Sequence, residues 1–358
     1  MPQPSVDIII LHHNGTENIE NCLSSVFSSV YHNFSVTVVD NNSTDDSVEQ
    51  IKKRFPQINL ILNNANLGYS GGNNTALRNS KAKYAVLLND DTIVEQKWLA
   101  EMISVMESNV HIATCQPKVL SLRNKSFFDN CAAGCFLDYY GYPIYRGRVF
   151  DTVEEDKGQY DDVSEIFVSV GVCMLVRVSC LNESGLLDED FHIYFEEFDL
   201  CWRLRLIGYM HVSVPSSVIY HIGGVTYKKK SYKWSFLNHR NSVIVLIKNY
   251  SLLNLLKRLP VRIVFEIVSS IAFLLRLDFE RAFANIMAIL WLALHPFMLI
   301  RKRAEVQRLR KVSDNEITIF MVKGSSVVKY YFYKRKHFKD YMRYIPAFSA
   351  KNEAHTKA

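Results

Sequence analysis

Tyr84-Ala85-Val86-Leu87-Leu88-Asn89-Asp90-Asp91-Thr92 carries an apolar run straight into two adjacent carboxylates, with no spacer between them. Residues apolar at successive positions read as a strand covered on both faces, so the acidic pair stands at the open edge of a sheet. Two carboxylates this close repel unless solvated, and a divalent cation carrying diphosphate oxygens would relieve that repulsion. The stretch predicts an enzyme that handles a phosphorylated donor.

Runs of the same kind occupy residues 6–11, 36–39 and 58–62, separated by polar loops and helix-compatible segments. This punctuation predicts an α/β fold with a mostly parallel, Rossmann-like sheet. Ligands bind at the carboxyl ends of such strands. Here those ends read His12-His13-Asn14-Gly15, Asp40-Asn41-Asn42-Ser43-Thr44-Asp45, Asn63-Asn64-Ala65-Asn66-Leu67-Gly68 and Asn89-Asp90-Asp91. One polar loop marks a turn, whereas four at one sheet edge predict a site. Asn66-Leu67-Gly68-Tyr69-Ser70-Gly71-Gly72-Asn73-Asn74 reads as a glycine-bearing loop leading into a helix over 74–80, open to an anion at its backbone N–H groups. It is neither a P-loop nor a GxGxxG fingerprint.

Residues 121–165 lose this pattern and read as an irregular or antiparallel insertion near the site. Order returns over 166–178. A helix is predicted over 197–208, with Leu200, Leu204 and Ile207 on one face and Gly208 placed to end it. Glu196, Glu197 and Asp199 stand at its N-terminus, where the helix dipole favours ionised carboxylates available as bases. Asp199 and Arg203 are spaced to pair with each other.

The formal charge of +6 hides a division: residues 1–224 carry 16 Lys/Arg and 28 Asp/Glu (net −12), and residues 225–358 carry 26 and 8 (net +18). The two halves are expected to meet different partners. Long aliphatic stretches alternate with the basic residues of the tail, including Lys228-Lys229-Lys230, which suits an anionic membrane surface better than nucleic acid. Within 282–300 only Asn285 and His295 are clearly polar, near the minimum of ~20 residues for a span. His295-Pro296 and the basic flanks suit a helix lying on the surface equally well. Residues 261–275, with Arg262, Glu266, Ser269 and Ser270, read as amphipathic. Seven scattered cysteines fit a reduced compartment. Met1-Pro2-Gln3-Pro4 runs into the first strand without a basic leader, so the N-terminal half is expected in the cytoplasm.

The order Val-Asp-Asn-Asn-Ser-Thr-Asp (39–45), Asn-Leu-Gly-Tyr-Ser-Gly-Gly-Asn-Asn (66–74), Leu-Asn-Asp-Asp-Thr (88–92), Gly-Leu-Leu-Asp-Glu-Asp-Phe (185–191) and Tyr-Phe-Glu-Glu-Phe-Asp-Leu-Cys-Trp-Arg (194–203) resembles a family 2 glycosyltransferase. More narrowly it is similar to the rhamnosyltransferase-like enzymes that build bacterial surface polysaccharides. The resemblance covers roughly residues 5–225. It implies a GT-A nucleotide-diphospho-sugar transferase fold over residues 1–227, a UDP-, dTDP- or GDP-sugar donor, Mn²⁺ or Mg²⁺, and inversion at the anomeric carbon. Asp40 would hold the nucleoside, with His13 and Asn14 near its base, and Asn66, Gly71, Gly72 and Asp90 would line the donor pocket. Asp91 and His221 would hold the metal ion. Glu197 would be the base, with Glu196 or Asp199 as alternatives. The chain departs from the family pattern at His13, usually an aromatic Tyr or Trp, at Asn89, usually the first acid of a triplet, and at Glu197, one methylene longer than the usual Asp. Residues 228–358 are then a basic helical region on the inner face of the cytoplasmic membrane, where a polyprenyl-diphosphate-linked saccharide acceptor would be held. A sugar-1-phosphate nucleotidyltransferase and a non-catalytic sugar-nucleotide-binding module are the alternative readings.

Overall fold

The computed structural model describes residues 3–223 and 231–348, so Gly224, Lys228-Lys229-Lys230 and the expected boundary at 227/228 lie outside the described residues. Strands β1 (Val6–His12), β2 (Phe34–Asp40), β3 (Asn59–Leu62) and β4 (Tyr84–Asn89) coincide with the apolar runs. They pair in parallel in the order β3-β2-β1-β4, connected through helices α1 (Thr16–Phe27), α2 (Ser47–Arg54) and α3 (Gly68–Leu77). Register sets His12 opposite Asp40 and Leu11 opposite Asn89, so the polar strand ends finish level with one another.

The sheet then continues past β4. Strands β5 (Thr92–Val94) and β6 (Ile112–Ser121) flank helix α4 (Trp98–Ser108). After the insertion come β11 (Ser164–Ile166), β12 (Cys173–Arg177), helices α5 (Val178–Ser184) and α6 (Glu196–Ile207), and β13 (Met210–His221). The full order is β11-β13-β6-β12-β4-β1-β2-β3, with β5 paired to β13. Strand β12 enters antiparallel to both neighbours, while β6 and β13 run parallel. The end of β13 places His221 beside Thr92, level with the acidic pair.

The insertion folds as a four-stranded antiparallel sheet of β7 (Cys135–Leu137), β8 (Pro143–Tyr145), β9 (Arg148–Val149) and β10 (Thr152–Val153). The C-terminal half is helical: α7 (Tyr232–Asn249), α8 (Leu252–Leu275), α9 (Phe279–Leu294), α10 (Pro296–Arg308), and short α11 (Asp314–Thr318), α12 (Ser326–Tyr331) and α13 (Lys339–Met342). Its core is continuous with that of the sheet, since Leu200, Trp202 and Leu204 share one buried cluster with Val243, Leu246, Tyr250, Met321 and Tyr341. Trp202 packs edge-on against both Phe167 and Tyr250. Part of the charge division is resolved internally, because Lys248 pairs with Asp188 and Asp199, and Lys302 with Asp188 and Asp190. In these contacts the acidic and basic halves are each other's partner.

Helix α8 is inside-out. Arg262, Glu266 and Ser270, four residues apart on one face, are buried, while Val264, Ile267, Val268, Ile271 and Leu275 are exposed. The run 282–300 is broken at His295, where α9 and α10 meet at a 75° bend. No single helix among the described residues is long and apolar enough to cross a membrane.

Candidate active site

A cavity of about 730 Å³, within the range of small-molecule sites, opens at the carboxyl ends of β1, β2 and β4. His13, Asn14, Asn66, Asp90, Asp91, Glu196, Glu197 and His221 line it, as the sequence predicts. Four other candidates do not. Asp40 is buried at the end of β2 with both carboxylate oxygens accepting from the Ser43 N–H, and Asn41, the next residue, takes the place in the lining. Asn41 ties two loops together: its Nδ2 donates to Asn66 Oδ1 (3.0 Å) and its Oδ1 accepts from the Leu67 N–H (3.0 Å).

Gly71 and Gly72 are not in a loop, because α3 begins at Gly68. A Cβ on Gly72 would stand 2.3 Å from Leu11 Cδ1, and one on Gly71 2.8 Å from Leu67 Cβ. Gly72 is small where α3 packs on β1, and Gly71 where the helix passes its own N-cap residue Leu67, instead of forming an anion cradle. Asp199 is a structural charge, fully buried among Arg203 (2.8 Å), Lys248 (2.8 Å) and Asn249 (3.0 Å). With its oxygens so occupied it is no base.

The acidic pair divides its work. Asp90 Oδ2 lies 2.7 Å from His12 Nδ1, and His12 Nε2 lies 2.8 Å from Ser47 Oγ. Burial pushes Asp90 above the usual carboxylate range, against the pull of His12. Asp91 Oδ1 lies 3.1 Å from His221 Nε2, and although burial works the other way, His221 holds the Asp91 carboxyl below its ordinary range. Asp129, from the insertion, holds His221 Nδ1 at 2.9 Å. Burial would depress the imidazole, but the Asp129 and Asp91 carboxylates push it up to about 10.

A carboxylate oxygen and an imidazole nitrogen oriented by a second carboxylate fit a divalent cation of the Mn²⁺ type. Binding would displace the Nε2 proton. Among the described residues no group of three or more His, Cys, Asp or Glu is arranged to hold an ion. Asp91 and His221 would therefore need further oxygens from a ligand.

Across the cavity, Glu196 and Glu197 begin α6, and each keeps a buried Oε2 without a partner. Burial pushes both carboxyls up, Glu197 to about 7 and Glu196 well above the usual carboxylate range, where the charge of Glu197 adds to the push. This corrects the expectation that the helix dipole keeps them ionised. A dipole worth ~0.3–1 kcal/mol is outweighed when a single pKa unit corresponds to about 1.4 kcal/mol. Titratable groups around Glu197 are Glu196, Tyr69 from α3, Cys131, Cys135 and Tyr145 from the insertion, and Cys201. Arg148 lies beyond Cys131 and Tyr145.

The segment before α6 is strained. His192, Tyr194 and Phe195 all have positive φ (63°, 72° and 71°), at a cost on the order of 1–3 kcal/mol each. All three line the cavity. Gly68, itself at φ 71°, accommodates this segment: a Cβ there would stand 2.4 Å from the His192 carbonyl oxygen. The remaining wall comes from the insertion (Tyr142, Tyr145, Arg148) and from Trp234, Asn238, His239 and Arg262 of α7 and α8.

Residues 7–183 match the family described as glycosyl transferase family 2. The chain is 30% identical over 112 residues to an uncharacterized glycosyltransferase of Haemophilus influenzae, covering 30% of this chain and 35% of the relative. It therefore spans only about a third of that protein's length. It is 22% identical over 266 residues to the N-acetylglucosaminyl-diphospho-decaprenol L-rhamnosyltransferase of Mycobacterium tuberculosis, covering 68% of this chain and 84% of that one. The solved structure of GalNAc-T7 with UDP, GalNAc and Mn²⁺ superposes with a TM-score of 0.56 at 15% identity, over 69% of this chain and 48% of the other. That likeness is one of fold, and the fold is the GT-A architecture expected from the sequence.

Proposed function

The chain belongs to glycosyl transferase family 2, and from that premise we propose that the cavity moves a sugar from a nucleoside-diphosphate donor to a hydroxyl of a saccharide, with inversion. The observation that carries this reading is the placement of the Asp91–His221 pair and of Glu196 and Glu197, each with one buried carboxylate oxygen lacking a partner, on the walls of one cavity. Mn²⁺ or Mg²⁺ held by Asp91 and His221 would supply positive charge against the diphosphate. Asp90, Asn41 and Asn66 orient the donor from the sheet edge. Glu197, half ionised near neutral pH, takes the proton of the acceptor hydroxyl as its oxygen bonds to the anomeric carbon. The bond from that carbon to the diphosphate breaks, and the nucleoside diphosphate leaves with the electron pair. Glu196, whose carboxyl is pushed up by burial and by the neighbouring Glu197, lines the cavity beside the base.

The acceptor is a saccharide on a lipid diphosphate at the inner face of the cytoplasmic membrane, against which the exposed apolar face of α8–α10 rests. Relatives support this choice: the Mycobacterium tuberculosis protein is named for a diphospho-decaprenol acceptor. The test is incubation with UDP-, GDP- and dTDP-sugars, a lipid-diphosphate saccharide, and Mn²⁺, Mg²⁺ or chelator. Release of nucleoside diphosphate with a product of inverted anomeric configuration is expected. Binding without release from any donor would favour a non-catalytic module, and a retained configuration would exclude the single displacement.

A further inference from the structure

Three of the four residues leading into α6 are held in left-handed backbone conformation, and the N-cap residue of that helix, Phe195, makes no side-chain cap. Something else must fix the direction of its first turn. The carbonyls of Phe191, Ile193 and Tyr194 converge on one amide, Asn241 Nδ2 on α7, at 3.0, 3.0 and 2.8 Å. Asn241 is fully buried, and its Oδ1 accepts from Arg240 Nε at 2.8 Å. The Arg240 guanidinium in turn donates to the Asp190 carbonyl at 2.8 Å. Three carbonyl dipoles pointing at one spot repel one another unless a donor stands there, and a primary amide is the neutral group that supplies two N–H bonds from one atom. Neither Asn241 nor Arg240 is among the residues that line the cavity.

We propose that Asn241, supported by Arg240, is a positioning residue that sets the reach and seclusion of Glu197 by clamping the strained turn over 191–195. The proposal rests on the reading of Glu197 as the base. It makes the C-terminal half a part of the catalytic apparatus, since the clamp comes from α7. The pairing is economical for a transferase: the turn also contacts Gly68, whose neighbour Asn66 lines the donor side, so one clamp registers the base against the donor.

The test compares full-length Asn241→Ala, Asn241→Gln, Arg240→Lys and Glu197→Gln. Readouts are kcat across pH, Kd for nucleoside diphosphate with Mn²⁺, and melting temperature. A displacement of about 1 Å at the base predicts kcat lowered about a hundredfold in Asn241→Ala. Its Kd should stay within about threefold, and the acid limb of kcat should move below pH 7 as Glu197 gains water. Arg240→Lys should show the same signs with about a tenfold loss. Wild-type kcat and an unmoved acid limb in all three clamp variants, Asn241→Ala, Asn241→Gln and Arg240→Lys, would overturn the proposal. So would joint loss of donor binding and melting transition in all three, which would make Asn241 a purely structural amide. Full activity of Glu197→Gln would instead remove the base assignment itself.

Discussion

Glu197 is a carboxylate that sequence places correctly and characterises wrongly. Its position at the start of a helix suggests an ionised acid, yet burial raises it to about 7. The sign of the consequence is definite. A base must be deprotonated to act, so kcat should climb about tenfold per pH unit below 7 and level off above it, in a profile measured at saturating donor. Stability should run the other way: the native state holds its proton from about pH 4.5 to 7 while the unfolded chain does not, so this contribution to stability is present at low pH and lost as pH rises through 7. A denaturation series across that window checks it. Glu197→Gln keeps size and removes basicity, so it should lower kcat by roughly 10²–10⁴ and leave donor affinity unchanged in calorimetry. Asp91→Ala would take away one of the two protein ligands proposed for the ion and should abolish the Mn²⁺ dependence of nucleotide binding, whereas retained dependence would relocate the ion. His12 and Asp129 were not legible as partners of these residues. Each acts only through a contact made by distant segments, 78 and 92 residues apart in the chain.

Elements were legible where one face-to-face demand dominated the sequence. The strands β1 and β4 are apolar over most of their length because both faces of the sheet are covered, and such runs can be read directly. The antiparallel entry of β12 was not, since Cys173-Met174-Leu175-Val176 is as apolar as a parallel strand would be and direction leaves no mark on composition. Helix α3 was misjudged at its start. Gly68-Tyr69-Ser70-Gly71-Gly72-Asn73-Asn74 has low helix propensity, and a loop is the local expectation; tertiary packing against β1 overrides it. The cost appears in one testable place. Gly68→Ala puts a methyl group 2.4 Å from the His192 carbonyl oxygen at a backbone φ of 71°, so it must move the strained turn or adopt a poor conformation. A loss of about 2–5 kcal/mol is expected in chemical denaturation, together with lowered activity, from a left-handed Ala plus overpacking. Wild-type stability in that variant would mean the turn at 191–195 is looser than its contacts indicate.

At the scale of the whole molecule, the charge division is visible in sequence, but what the halves do with it is not. Lys248 and Lys302 reach across to Asp188, Asp190 and Asp199, so part of the basic excess answers the acidic half, while Arg262 and Arg310 pair with Glu266 and Asp314 of their own half. Cutting the chain near Tyr227 would leave Asp199 with Arg203 alone and take both lysines from Asp188, and so cannot cleanly report on membrane contact. Substitutions on the outer face of α8 can. In water that helix has its polarity reversed, with the Arg262–Glu266 pair turned inward and bonded to Ser242 and the Tyr140 carbonyl, while Ile267 and Ile271 are about half exposed. Phe283, Leu294 and Phe297 of α9 and α10 are exposed as well, and apolar side chains exposed in number mark contact surfaces. The bend at His295 lets these helices lie along a bilayer without crossing it. Ile267→Glu with Ile271→Glu touches no buried group, so folding and nucleotide binding should persist. Each lost side chain, at ~1.5 kcal/mol or more of apolar transfer, should weaken partition onto anionic vesicles by at least about tenfold. Transfer to a lipid-linked acceptor in vesicles should fall in step, while transfer to a short water-soluble acceptor should not. Undiminished vesicle flotation of the double variant would show that the inverted face serves some other contact.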